Sequence, residues 1–149
     1  MRAGLERWQA TGAKVALTGS YLMLADGLRI LGDHLEALAL VEKSQAISVE
    51  SGECHAASDA LRLKGILHLT VPRPDRGAAE GAFRQAIQVA RTPRAPLWEL
   101  RAAVELAALL RDSGQIPKAR EVLSPIYSTL SQEPEFAILR KAKTILQSL

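Results

Sequence analysis

Between Tyr21 and Ser44 the chain reads YLMLADGLRILGDHLEALALVEKS, with Tyr21, Leu24, Ala25 and Leu28 before Gly32 and Ala37, Val41 and Ser44 after it. Steps of three and four residues mark one face of an α-helix, so this stretch predicts two amphipathic helices joined at a glycine. The pattern returns 82 positions further on as Ala103, Leu106, Ala107, Leu110, Gly114, Ala119, Leu123 and Ile126. Every position in both copies is apolar or small, and the glycine falls on a glycine. Two hairpins at that separation leave room for one more between them, giving a repeat of about 41 residues.

Taken in order, residues 2–10 predict a short helix with Leu5 and Trp8 on one face, closed by Thr11-Gly12. A long helix follows from about Ala13 to Leu31, carrying Val15, Leu17, Tyr21, Leu24, Leu28 and Leu31. Asp33 then caps the next helix, with Glu36 three residues on. That helix is expected to run to about Glu50 and to bury Leu35, Leu38, Val41 and Ile47. Cys54 to Leu69 predicts a third, with Leu61, Leu63, Ile66 and Leu67 apolar. The prolines of VPRPDRG (71–77) interrupt it, and Asp75 caps a partner helix bearing Ala79, Phe83, Ala86 and Ile87. RTPRAP (91–96) leads to a helix over Leu97 to Arg111, with Leu100, Val104, Leu106, Leu109 and Leu110. After Ser113-Gly114, Pro117 stands in the first turn of another helix, which Pro125 is expected to bend or cut short. A last helix from about Pro134 to Gln147 closes the chain.

About eight helices with no strand signal make an all-α fold in one domain over 1–149. It divides into a half-repeat (1–12), repeats over about 13–51, 52–92 and 93–131, and a closing helix over 134–148. Neither helix pair can hide its apolar face alone, so stacking of neighbouring pairs is expected to build the core.

Composition narrows the class. Of 149 residues 48% are hydrophobic and only 4% aromatic, which suits closely approaching helices. The net charge of +3, from 19 basic and 16 acidic side chains, is small and dispersed. The single cysteine, Cys54, excludes an internal disulfide and suits a reducing compartment. No apolar run approaches the roughly 18 residues of a membrane helix. The start, MRAGLERWQ, is too charged for a secretory signal. A cytoplasmic protein is expected.

The residues Tyr21, Leu24, Ala25, Leu28, Ala37 and Val41, and again Ala103, Leu106, Ala107, Leu110, Ala119 and Leu123, resemble the small-and-large pattern of the tetratricopeptide repeat. More narrowly, QATGA (9–13), ESGE (50–53), LRLKGILHL (61–69), AFRQAI (82–87) and LRAAVELAALLRDSGQIPKAREVLSPIY (100–127) resemble the repeat tails of bacterial multidomain ATPase and nucleotide-cyclase regulators. Those proteins join a P-loop ATPase head to such a tail, and no G-x-x-x-x-G-K-[ST] loop is present here. The resemblance implies a right-handed α-solenoid and the tail's task alone, the holding or sensing of a protein partner.

Candidate chemistry is sparse. His34, His55 and His68 fall on three elements with no metal-ligand spacing, and adjacent Cys54 and His55 point to different faces of a helix. Asp26, Asp33, Glu36 and Glu42 read as caps or solvated groups. No enzyme, cofactor or metal is expected. In the repeat architecture the first helix of each pair lines the concave face, which places Leu22, Asp26 and Arg29, then Arg62, Ile66 and Leu69, then Arg101, Val104, Ala108 and Arg111 along a groove. Four arginines there favour a protein or peptide partner, an acidic one above all, since guanidinium binds carboxylate bidentately. An alternative is a homodimer through an open end, formed by Leu5 and Trp8 or by Ile138, Ile145 and Leu149. Nucleic acid binding is disfavoured by the small excess charge and by the lack of an aromatic side chain among the arginines.

Overall fold

The computed structural model describes residues 17–92, 95–130 and 136–149 together with Gly4 and Arg7. Of the expected helix over 2–10 only Gly4 and Arg7 are described, both as helical, while Leu5 and Trp8 lie outside the described residues, as do Ala13 to Ala16 and Pro134. Among the described residues there are seven helices, against the eight expected, and no strand. They are α1 (Leu17–Ile30), α2 (His34–Ser51), α3 (Cys54–Thr70), α4 (Arg76–Arg91), α5 (Pro96–Arg111), α6 (Ile116–Leu130) and α7 (Ala137–Gln147).

Local chemistry sets the ends. Gly32, Gly52 and Gly114 have φ of 85°, 72° and 74°, the left-handed region that lets a helix close on its last carbonyls. In each case the next residue donates its N–H back five positions: Asp33 to Leu28, Glu53 to Ser48 and Gln115 to Leu110, all at 2.9 Å. Asp33 and Asp75 then accept the N–H groups of Glu36 (3.3 Å) and Ala78 (2.9 Å), so both expected caps are present.

Each helix touches its neighbours in sequence, and α1, α3, α5 and α7 also touch successively. Small residues make this approach possible: Ala25, Ala37, Ala60, Ala79, Ala86, Ala103, Ala107 and Ala119 are all buried, with Phe83, Val41 and Leu123 filling the gaps between pairs. The core falls into two clusters. Leu22, Ala25, Leu28, Ala37, Val41, Ala60, Leu63 and Leu67 hold α1 and α2 against α3. A larger one runs from Leu61 through Phe83, Leu100, Leu106, Leu110 and Leu123 to Leu139 and Ile145. Two buried serines tie helices together, Ser44 donating to the Thr18 carbonyl and Ser58 to that of Ala86, each at 3.0 Å.

One expectation fails on packing. Leu35 is 86% exposed, because α2 turns Ala37, Val41, Ser44 and Ser48 inward and Leu35 lies opposite them; Leu38 and Ile47 are half-buried. Pro125 does not cut its helix short, since α6 continues to Leu130. Leu123 before the proline and Ile126, Tyr127 and Leu130 after it all pack into the core, so both halves of the helix are seated on it. The exposed Ser128 and Thr129 hydroxyls donate to the Ser124 and Pro125 carbonyls at 2.9 and 3.1 Å.

Gly65 and Gly27 are helical glycines with opposite surroundings. A Cβ on Gly65 would stand 2.5 Å from the ring of fully buried Phe83, whereas one on Gly27 would meet nothing within 4 Å. Gly65→Ala should therefore lose about 1–3 kcal/mol through overpacking. Gly27→Ala should gain about 0.5–1 kcal/mol from helix propensity. Urea unfolding of the two variants, with opposite shifts in midpoint, checks both.

Candidate functional site

The first halves of α1, α3 and α5 lie side by side and enclose a groove of about 410 Å³. α1 contributes Leu22, Met23 and Asp26, α3 contributes His55, Asp59, Arg62 and Leu63, and α5 contributes Trp98 and Arg101. Four of the residues expected on the concave face, Leu22, Asp26, Arg62 and Arg101, are thus brought together.

The others stand elsewhere. Arg29 is in the last turn of α1, where its Nε donates to Asp26 at 2.8 Å. Ile66 and Leu69 are half-buried against the larger core cluster. Val104 is fully buried and cannot line a surface, because α5 packs against α3, α4, α6 and α7 and is covered on most sides. Ala108 is half-buried against the same cluster. Arg111, at the far end of α5, donates to Asp112 (2.9 Å) and to Ser148 (3.1 Å). Of the residues expected to join two copies, Ile145 is buried in the chain's own core, and Ile138 and Leu149 pack against it. The underside of α7 is spent within the chain.

Electrostatically the centre of the groove is Asp59, which sequence reasoning missed. Its Oδ1 accepts Arg62 Nε at 2.7 Å from one turn further along α3 and lies 3.3 Å from Arg101 Nη2 across the helix gap. All three side chains are largely covered. Burial lowers the Arg101 pKa from its usual value; Asp59 opposes that shift and Arg62 adds to it, and the guanidinium stays a cation. The signal for Asp59 was in the sequence: Asp26-Gly-Leu-Arg29 recurs as Asp59-Ala-Leu-Arg62, an acid and a base on one helix face.

Trp98 was the second omission. Its ring lies 4.7 Å from the Arg101 guanidinium, and the His55 ring stacks on it with centroids 6.1 Å apart and planes at 21°. An aromatic side chain therefore does stand among the arginines, contrary to the sequence-based expectation. Trp98 precedes Arg101 by three residues, which puts both on one face of α5. Cys54 turns away, its Sγ set 3.6 Å from the Gly52 carbonyl. Opposite the aromatic pair Met23 is 65% exposed, so the groove couples an apolar wall to paired charges.

No protein-family model matches the chain, and no curated protein matches it.

Because Asp59 holds two largely covered cations, Asp59→Ala should cost about 2 kcal/mol, the range for a hydrogen bond to a charged group. The more exposed pair of Arg111 and Asp112 supplies the control, with Asp112→Ala changing stability by about 0.5 kcal/mol or less. Urea midpoints of the two variants decide whether the Asp59 cluster is structural as well as electrostatic.

Proposed function

We propose that this chain is a non-enzymatic protein-binding module whose helix pairs stack as a right-handed α-solenoid of the tetratricopeptide kind. Its groove across α1, α3 and α5 takes a protein or peptide partner. The observation that carries the reading is the groove itself, built from first helices alone and combining Met23, Leu22 and Trp98 with Arg62 and Arg101. Successive contacts of α1 with α3 and α3 with α5 support stacking in a row. The task fits a scaffold, or the sensing tail of a larger cytoplasmic regulator.

An acidic partner fits best. Arg62 and Arg101 each spend one nitrogen on Asp59, and a guanidinium carries five N–H donors, so capacity for a further carboxylate remains. Nucleic acid fits less well even with Trp98 in place, because Asp26 and Asp59 offset two of the three arginines, and a phosphate chain draws its affinity from several uncompensated cations whereas a single carboxylate needs one guanidinium.

The test is charge reversal. Arg62→Glu together with Arg101→Glu should abolish retention of acidic proteins by the immobilised chain while circular dichroism stays helical. Retention equal to that of the unaltered chain overturns the groove reading.

A further inference from the structure

The groove across α1, α3 and α5 is divided into two bands about one helical turn apart. Met23 on α1, His55 on α3 and Trp98 on α5 form the first. Asp26, Asp59 and Arg101, three or four residues further along the same helices, form the second. Arg62 joins this second band through its 2.7 Å bond to Asp59. The bands of α3 and α5 are level: the His55 and Trp98 rings stack at 6.1 Å, and Arg101 reaches Asp59 at 3.3 Å. With a rise of about 1.5 Å per residue, the two bands stand about 4.5–6 Å apart. A ligand in the groove of about 410 Å³ therefore meets an apolar, aromatic surface and a charged one in fixed order.

Each band suits one kind of group. Met23 is exposed and Trp98 only partly covered, so a ring laid against them buries apolar surface that water now touches. In the charged band Asp59 takes Arg62 Nε and Arg101 Nη2. Among the described residues the other N–H groups of both guanidiniums bond nothing else, and they can hold a carboxylate. Asp26 and Asp59 stand beside them, which disfavours the second charge of a phosphate. We propose that the groove selects an extended peptide segment with an acidic side chain two residues from an aromatic one. This rests on the protein-binding reading above and names the partner's chemistry. In an extended chain lying along the helices, alternate side chains share a side and stand about 6.5–7 Å apart, near the spacing of the bands. Adjacent side chains point to opposite sides and cannot fill both bands. The carboxylate seats on Arg62 and Arg101, and the ring lies against Trp98 and Met23.

Isothermal titration calorimetry of the intact chain tests this with glycine–serine peptides bearing one glutamate and, two residues on, one phenylalanine. Acetylated and amidated ends leave the glutamate as the sole carboxylate. Replacing that glutamate by glutamine, or the phenylalanine by alanine, should each weaken binding about tenfold. Moving the ring next to the glutamate should weaken it at least about threefold. Trp98→Leu, with Met23→Ala as a second variant at an exposed position, should weaken the phenylalanine peptide about fivefold and leave the alanine peptide unchanged, with helical circular dichroism retained. No binding of the glutamate–phenylalanine peptide, or equal binding of the alanine peptide, overturns the inference. So does a phenylalanine peptide indifferent to both Trp98→Leu and Met23→Ala, or binding that needs a free terminal carboxylate in place of the glutamate. In each of those cases, loss of acidic-protein retention on reversal of Arg62 and Arg101 leaves the protein-binding reading standing. Retention and peptide affinity that both survive that reversal overturn the two together.

Discussion

Helix backbones can approach closely only where side chains are short, and the rest of this structure depends on that constraint. Alanine supplies it at Ala25 and Ala37, at Ala60 and Ala79, and at Ala103, Ala107 and Ala119, all buried. Gly65 supplies the tightest case, where the Phe83 ring occupies the place a methyl group would take. With the gaps set by alanine, one large residue per interface is enough to fill them, and Val41, Phe83 and Leu123 do so. This explains how a chain poor in aromatic side chains still builds a close-packed interior. It also brings the first helices near enough for Arg101 on α5 to reach Asp59 on α3.

That reach organises the groove. One oxygen of Asp59 collects donors from two helices, so an acidic side chain fixes where two basic ones stand. Left alone in a partly dry site the two guanidiniums would repel each other, and Arg62 adds to the burial that lowers the Arg101 pKa. The carboxylate removes that conflict and leaves a modest positive excess beside Trp98, His55 and Met23. The surface is therefore amphipathic and pre-arranged, which lowers the ordering cost of binding.

How much of this the sequence discloses depends on the range of the interaction. Ends set by local chemistry were legible: glycines at 32, 52 and 114, and caps at Asp33 and Asp75, need only neighbours within five positions. The inward face of α1, with Tyr21, Ala25 and Leu28, followed from spacing alone. Leu35 misled because a leucine one turn from Leu38 looks like core, and only the seating of α2 on α1 and α3 decides which side is covered. Val104 misled for the converse reason, since a repeat register assumes every unit equal and, among the described residues, α5 has neighbours on more sides than α1. Asp59, Arg101 and Trp98 meet across two helices, and the rotation of one helix against another is not written in either alone.

Among the described residues the interior is not one mass. A smaller cluster joins α1 and α2 to α3, a larger one joins α3 to everything after it, and α3 has residues in both. Cooperativity along the chain must then pass through a single rod shared by two neighbours. The first pair can loosen while the later helices keep their own interior, so the protein behaves as a zip with a firm end and a soft one. Because the groove takes one wall from the soft end and two from the firm end, anything seated in it would fasten the zip shut.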